Sequence, residues 1–148
     1  IVEALPKDIL TKMYAPPKSN LFTIVVSQLQ EANGYLFGFP TRYSTASAQL
    51  WAKQILLGKP AGLFQYGSQE VTVFMSLPIL ADHVIIFIPF TYAYLHLSNS
   101  SKVIGVSAWG VGTIANGDGL HQPSENELTI FEAQGMSFAK VTTKLAAT

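Results

Sequence analysis

The chain has 148 residues, 49% of them hydrophobic and 12% charged, which suits one domain with enough apolar material for a core. Lysine plus arginine balance aspartate plus glutamate at 9 each. That neutrality argues against the basic face of a nucleic-acid binder and against a polybasic membrane-surface segment. There is no cysteine, which removes disulfide and thiolate chemistry and fits a reducing compartment.

The longest apolar stretch, residues 84–95, is too short and too interrupted to span a bilayer, and no signal peptide is visible. The chain opens on Ile1-Val2-Glu3, so a start upstream is expected. Leu5, Ile9 and Met13 recur at helical spacing after Pro6, and Ala15-Pro16-Pro17 ends that short helix. Ser27-Gln28-Leu29-Gln30 carries a capping-box pattern and predicts a further helical turn. Three runs read as strands: Tyr35 to Phe39, Ala61 to Gln65, and Val84 to Ile88. Each is apolar on both faces and bounded by glycine or proline, as parallel strands covered on both sides are.

Between the first two strands, Leu50, Trp51 and Ile55 form a helical stripe within residues 45–57, stopped by Gly58-Lys59-Pro60. Between the second and third, residues 69–81 read as helix, although Val71 to Phe74 also alternates and Pro78 would break a helix interior. Residues 98–122 form a long glycine-rich stretch, and loops of that length are often functional. Ser124-Glu125-Asn126-Glu127 is a capping box. Leu128, Phe131, Phe138 and Leu145 follow at helical multiples, and Lys140 and Lys144 suit the negative end of the helix dipole. This order predicts an α/β domain with a doubly wound parallel sheet.

Ligands of such sheets bind outside the carboxyl ends of the strands. The residues expected there are 40–44, 66–69 and 89–92, which offer hydroxyls, one guanidinium, aromatic faces and a glycine. A flat aromatic ligand with a polar edge would suit them. The alternative is that these polar residues only cap strands and helices. Other chemistries find little support. Gly110 to Ala115 matches a dinucleotide fingerprint but does not lead from a strand into a helix. His83, His96 and His121 lack ligand spacing, so no metal site is expected. No Gly-x-Ser-x-Gly elbow is present. Trp51 reads as core, and Trp109 as packing or interface.

Several motifs carry a resemblance. Phe37-Gly38-Phe39-Pro40-Thr41-Arg42-Tyr43 resembles the second flavin loop of the flavodoxin-like NAD(P)H:quinone oxidoreductases of the tryptophan-repressor-binding-protein type. Met13 to Lys18 resembles the segment before that loop, particularly in plant members. Gly58 to Gly62 is similar to the lead into the family's fourth strand. Most specific are Trp109 to Gly119, Gln122 to Glu125, and Glu127-Leu128. The resemblance spans essentially the whole chain, as a single flavodoxin-like domain over residues 1–148.

The resemblance implies a flavodoxin-like fold, FMN as cofactor, NAD(P)H as co-substrate, two-electron quinone reduction and a homo-oligomer, dimer or tetramer. It implies that Thr41, Arg42 and Tyr43 meet the isoalloxazine edge and that Gly67, Ser68 and Gln69 form the third flavin loop. No residue is assigned a catalytic role. A cytoplasmic location is expected, with a membrane-peripheral one as the alternative.

The departures from the family also carry information. Its opening strand, phosphate-cradling loop, helix and second strand have no counterpart in these residues, so the domain is expected to be incomplete at its N-terminus. Ser44 replaces a glycine of the second loop. A run of glycines is missing between Gln69 and Glu70, and Gln65-Tyr66 stand where small hydroxyl residues are usual. The stretch before Gly58 is shortened, and Asp82 aligns with a flavin-side histidine. These 148 residues are therefore expected to hold FMN weakly or not at all, and the edge of the strand from Tyr35 is expected to be covered by further N-terminal residues or another chain. A non-catalytic flavodoxin-like structural, storage or interaction protein that has lost flavin binding is the alternative.

Overall fold

The computed structural model describes residues 7–12, 22, 24–40, 56–66, 71–90, 104–114 and 120–148. The chain divides into two units, Ile1–Glu31 and Ala32–Thr148.

The first unit contains the short helices α1 (Lys7–Lys12) and α2 (Val26–Glu31). α1 has Asp8 in its first turn and Lys12 in its last, charges that match the ends of the helix dipole. The expected capping box of α2 is shifted. The Val25 N–H donates to Gln28 Oε1 at 3.0 Å, and the Gln28 N–H returns a bond to the Val25 carbonyl at 3.0 Å. Ser27 lies inside the helix. The glutamine half of the box sets this start, because its side chain satisfies the cap N–H.

The second unit is an α/β sheet domain: β1 (Tyr35–Pro40), β2 (Pro60–Tyr66), α3 (Val71–Asp82), β3 (Ile86–Phe87), β4 (Val111–Thr113) and α4 (Glu125–Ala146). All three strand pairings are parallel, as the flavodoxin-like expectation requires. β2 is central. β1 lies along one side, while β3 and β4 share the other. β3 pairs with Pro60 and Ala61, and β4 pairs with Phe64 to Tyr66.

Both faces of β2 are buried, which explains its continuous apolar sequence. Gly62 faces α4, since a Cβ there would meet Leu36, Phe138 and Gln134. The alternating Ala61 and Leu63 are buried on the opposite face. Phe90, Val111, Ile130 and Ala133 form a core cluster with Phe64, Ile104, Val106 and Phe131 packed against it. The Gln134 amide crosses to the sheet and donates to the Leu63 carbonyl at 3.0 Å.

Three expectations are corrected, and the helix expected over residues 69–81 is present. The third strand is only Ile86–Phe87, because Val84 and Ile85 complete the cap of α3. Ile85 N–H donates to the Leu80 carbonyl and Val84 N–H to the Ala81 carbonyl, both at 2.9 Å. Val84 takes φ 52°, the left-handed position of a Schellman cap that glycine usually fills. The stretch 98–122 is not all loop, since it contains β4 and an antiparallel bridge between Ser107 and Gly110. α3 forms despite Pro78. Pro78 and Phe74, whose carbonyl loses its helical partner, both lie on the exposed side, where water can satisfy that carbonyl. Finally, Leu128 and Leu145 are exposed. The buried face of α4 is Glu127, Ile130, Ala133, Gln134 and Phe138.

Candidate functional site at the carboxyl rim of the sheet

The strand register brings three chain exits to one level. Pro40 pairs with Tyr66, and Tyr66 with Thr113. The chain therefore leaves the sheet side by side at Pro40, Tyr66 and Ile114. The expected site residues Thr41, Arg42, Tyr43, Gly67, Ser68 and Gln69 lie outside the described residues. Their attachment points do not: Thr41 follows Pro40 and Gly67 follows Tyr66. Thr91 and Tyr92 also lie outside the described residues.

Of the third expected loop, only Pro89 and Phe90 are described. β3 pairs with the amino end of β2, so residues 89–90 do not reach the rim. Phe90 is 1% exposed and fills the core. The rim position on this side belongs to β4. Its glycines explain why the fingerprint-like run is structural. A Cβ on Gly110 would strike the Leu63 carbonyl, and one on Gly112 would stand 2.8 Å from Gln65 Cγ. Close approach of backbones, not a phosphate, requires these glycines.

Beside β4 lies a buried carboxylate. Glu127 is 2% exposed and closes the capping box of α4 with Ser124. Its Oε2 accepts from the Ser124 N–H at 2.8 Å and the Ser124 hydroxyl at 2.8 Å. Its Oε1 accepts from the Gly105 N–H at 3.3 Å. His121 Nε2 is 3.6 Å from Oε2. Among the described residues the Thr113 hydroxyl has no well-formed hydrogen bond, but it stands close enough to favour the charged carboxylate. Burial pushes the Glu127 carboxyl up. The bonds from the Ser124 main chain and hydroxyl and from Gly105, together with the nearby Thr113 hydroxyl, outweigh that and hold it below its ordinary value. The sequence shows this glutamate only as a helix cap.

Gln65, the next-to-last residue of β2, is 4% exposed, and its Oε1 has no hydrogen-bond partner among the described residues. A buried acceptor left this way costs about 1–3 kcal/mol unless something bonds to it. Asp82 and His83 sit elsewhere. They end α3 just before β3, which pairs with the first residues of β2, so they lie toward the amino end of the sheet. Asp82 is exposed; His83 is buried, with Nδ1 unpartnered among the described residues. Trp109, at the turn before β4, packs edge-on against Phe74 of α3 at 5.0 Å between ring centroids, in agreement with a packing role. No helix among the described residues is long and apolar enough to cross a membrane.

Comparison with known proteins supplies the remaining context. No protein-family model matches the chain. The quinone oxidoreductase QR2 of Triphysaria versicolor is 40% identical over 100% of this chain and 80% of its own length. The NAD(P)H quinone oxidoreductase YCP4 of Candida albicans is 45% identical over 98% of this chain and 57% of its own. A second Candida albicans enzyme of that name, PST1, is 38% identical over 97% of this chain and 80% of its own. The match to the Triphysaria protein runs over 164 residues against 148 here. With a parallel α/β sheet and relatives at these identities, the chain belongs to the flavodoxin-like NAD(P)H quinone oxidoreductase family.

Proposed function

We propose that this chain reduces quinones by two electrons, with NAD(P)H as the reductant and FMN as the bound cofactor. In the net reaction NAD(P)H gives up a hydride, solvent supplies a proton, and the quinone becomes a hydroquinone. The observation that carries the reading is the 40% identity across the whole chain to a relative named as a quinone oxidoreductase. Relatives named as enzymes do not favour the non-catalytic alternative.

The described rim fits a flavin. Gln65 Oε1 is a buried acceptor without a partner among the described residues, and the polar edge of a flavin carries a ring N–H. Gln65 itself, and the loops that start at Thr41 and Gly67, would hold that edge. Arg42 would donate charge-assisted bonds to flavin oxygens. The hydroxyls of Thr41, Tyr43 and Ser68, the amide of Gln69 and the backbone N–H of Gly67 would complete the polar contacts. When bound, FMN supplies the two-electron carrier, and the protein's part is to orient it and exclude competing reactions.

The domain is proposed to span the whole chain and to act in the cytoplasm as a homo-oligomer, dimer or tetramer. The outward side of α3 supports the oligomer. Phe74 and Met75 are 43% and 57% exposed there, and an apolar helix face is normally covered.

Arginine substitution tests the function. With FMN supplied, Arg42→Ala should lower quinone-dependent NAD(P)H oxidation about tenfold or more, the worth of one charge-assisted bond. Asp82→Ala, at the opposite end of the sheet, should change it little. Equal effects would show that the rim is not where the chemistry occurs.

A further inference from the structure

Glu127 does more than cap a helix. Its two oxygens serve different parts of the chain. Oε2 takes the Ser124 N–H and hydroxyl, the start of α4. Oε1 takes the Gly105 N–H, 22 residues away in sequence. Gly105 in turn lies against the last residues of the rim strand, where an added Cβ would meet Thr113 Cα at 2.7 Å and Ile114 N at 2.8 Å. Thr113 registers with Tyr66, the residue before the expected third flavin loop. The carboxylate thus ties Gly105, where the chain enters this region, to the start of α4, and Gly105 itself lies against Thr113-Ile114, where the chain leaves it.

We propose that Glu127 is a positioning residue for the rim. One oxygen builds the cap of α4, and the other holds residues 104–107 against the end of β4, so that the β4 side of the ligand-binding rim keeps its shape. That the rim binds NAD(P)H and quinone rests on the function proposed above. The tie to Gly105 does not. Substrates bound along a looser rim would be held less tightly, while their chemistry, once bound, would be unchanged.

Two substitutions separate the two oxygens. Glu127→Gln leaves a single acceptor. The shorter bonds lie on the Ser124 side, so the amide oxygen stays there, and the NH2 group turns toward the Gly105 N–H, donor against donor. This variant keeps the cap and cuts the tie. Ser124→Ala removes the hydroxyl half of the cap and leaves Oε1 on Gly105.

The experiment measures amide hydrogen exchange at Gly105, KM and kcat for NAD(P)H and a benzoquinone, and thermal stability, in FMN-supplied protein. Glu127→Gln should speed Gly105 exchange about tenfold or more, as expected for loss of a bond to a charged group. It should raise KM with kcat nearly unchanged, the signature of lost uniform binding. Ser124→Ala should lower the melting temperature and leave Gly105 exchange and KM at wild-type values. Unchanged Gly105 exchange in Glu127→Gln overturns the tie. Faster exchange with unchanged KM overturns its role in substrate binding. Absence of turnover in the wild type would refute the proposed function and the substrate half of this inference, while the exchange data would still decide the tie.

Discussion

β3 and β4 lie on the same side of β2, one at its amino end and one at its carboxyl end, yet they are held differently. β3 is fixed by main chain. Ile86 N–H donates to the Lys59 carbonyl at 3.0 Å, Ile88 N–H to the Ala61 carbonyl at 2.8 Å, and Gly58 N–H to the Val84 carbonyl at 2.8 Å. β4 also pairs through main chain with Phe64 to Tyr66, but its approach depends in addition on particular side chains and on their absence: Gly110 against Leu63, Gly112 against Gln65, and Glu127 against Gly105. All three residues of β4 are buried, whereas β3 is partly exposed. Main-chain bonds tolerate many sequences. Close approaches and a buried carboxylate do not. The residue-specific half of the flank is the half that reaches the proposed binding rim.

The sharpest way to break this comparison is at the β4 side. Gly110→Ala would drive a methyl group into the Leu63 carbonyl. The obstacle is backbone and cannot rotate away, so urea unfolding should report a loss of about 3 kcal/mol, the upper part of the usual overpacking range. A near-neutral result would show that β4 can shift without cost.

Acid titration probes the same side more gently. The Glu127 carboxyl is held below its ordinary value, as hydrogen bonds overcome the upward push of burial. A group with a depressed folded value stabilises the protein above its unfolded value, and that stabilisation is lost as pH falls through the folded value. Wild-type melting temperature should therefore fall more steeply on acidification than that of Glu127→Gln, with the two curves converging at low pH. Parallel curves would contradict the account.

The smallest effect is expected at the β3 side, with the opposite sign. Val84 is a β-branched residue at φ 52°, where such residues are strained by about 1–3 kcal/mol. Its side chain is 53% exposed and fills no core. Val84→Gly relieves the strain and gives back part of the gain as unfolded-state entropy, so thermal unfolding should show net stabilisation of about 1 kcal/mol. Destabilisation would mean that the valine side chain packs usefully against something.

The two flanks also differ in how far the sequence announces them. β1 and β2 are legible as apolar runs between glycines and prolines, and the start of α4 as Ser124 with Glu127. The true extent of β3 is not. Val84 and Ile85 have strand-like side chains, and nothing local shows that a valine will occupy the left-handed place of a helix cap. β4 is harder still. Val111-Gly112-Thr113 is short, and its glycines acquire meaning only from Leu63 and Gln65 in another strand. Likewise, Glu127 reads as a cap because Ser124 is three residues away, while its second partner, Gly105, is brought close only by the fold. Pro78 suggests a break in α3 that the exposed side of the helix absorbs. At the rim, the resemblance marks Thr41, Arg42, Tyr43, Gly67, Ser68 and Gln69. The Gln65 oxygen, without a partner among the described residues, becomes visible only once β2 is buried on both faces.

The most direct test of the central claim is the stoichiometry of turnover. Purified protein supplied with FMN, NADH or NADPH and a benzoquinone should consume reductant only when quinone is present. It should yield one hydroquinone per NAD(P)H, with no semiquinone signal by electron paramagnetic resonance. Quinone-independent consumption, accumulation of semiquinone as the released product, or no turnover with any quinone would contradict two-electron quinone reduction by this chain.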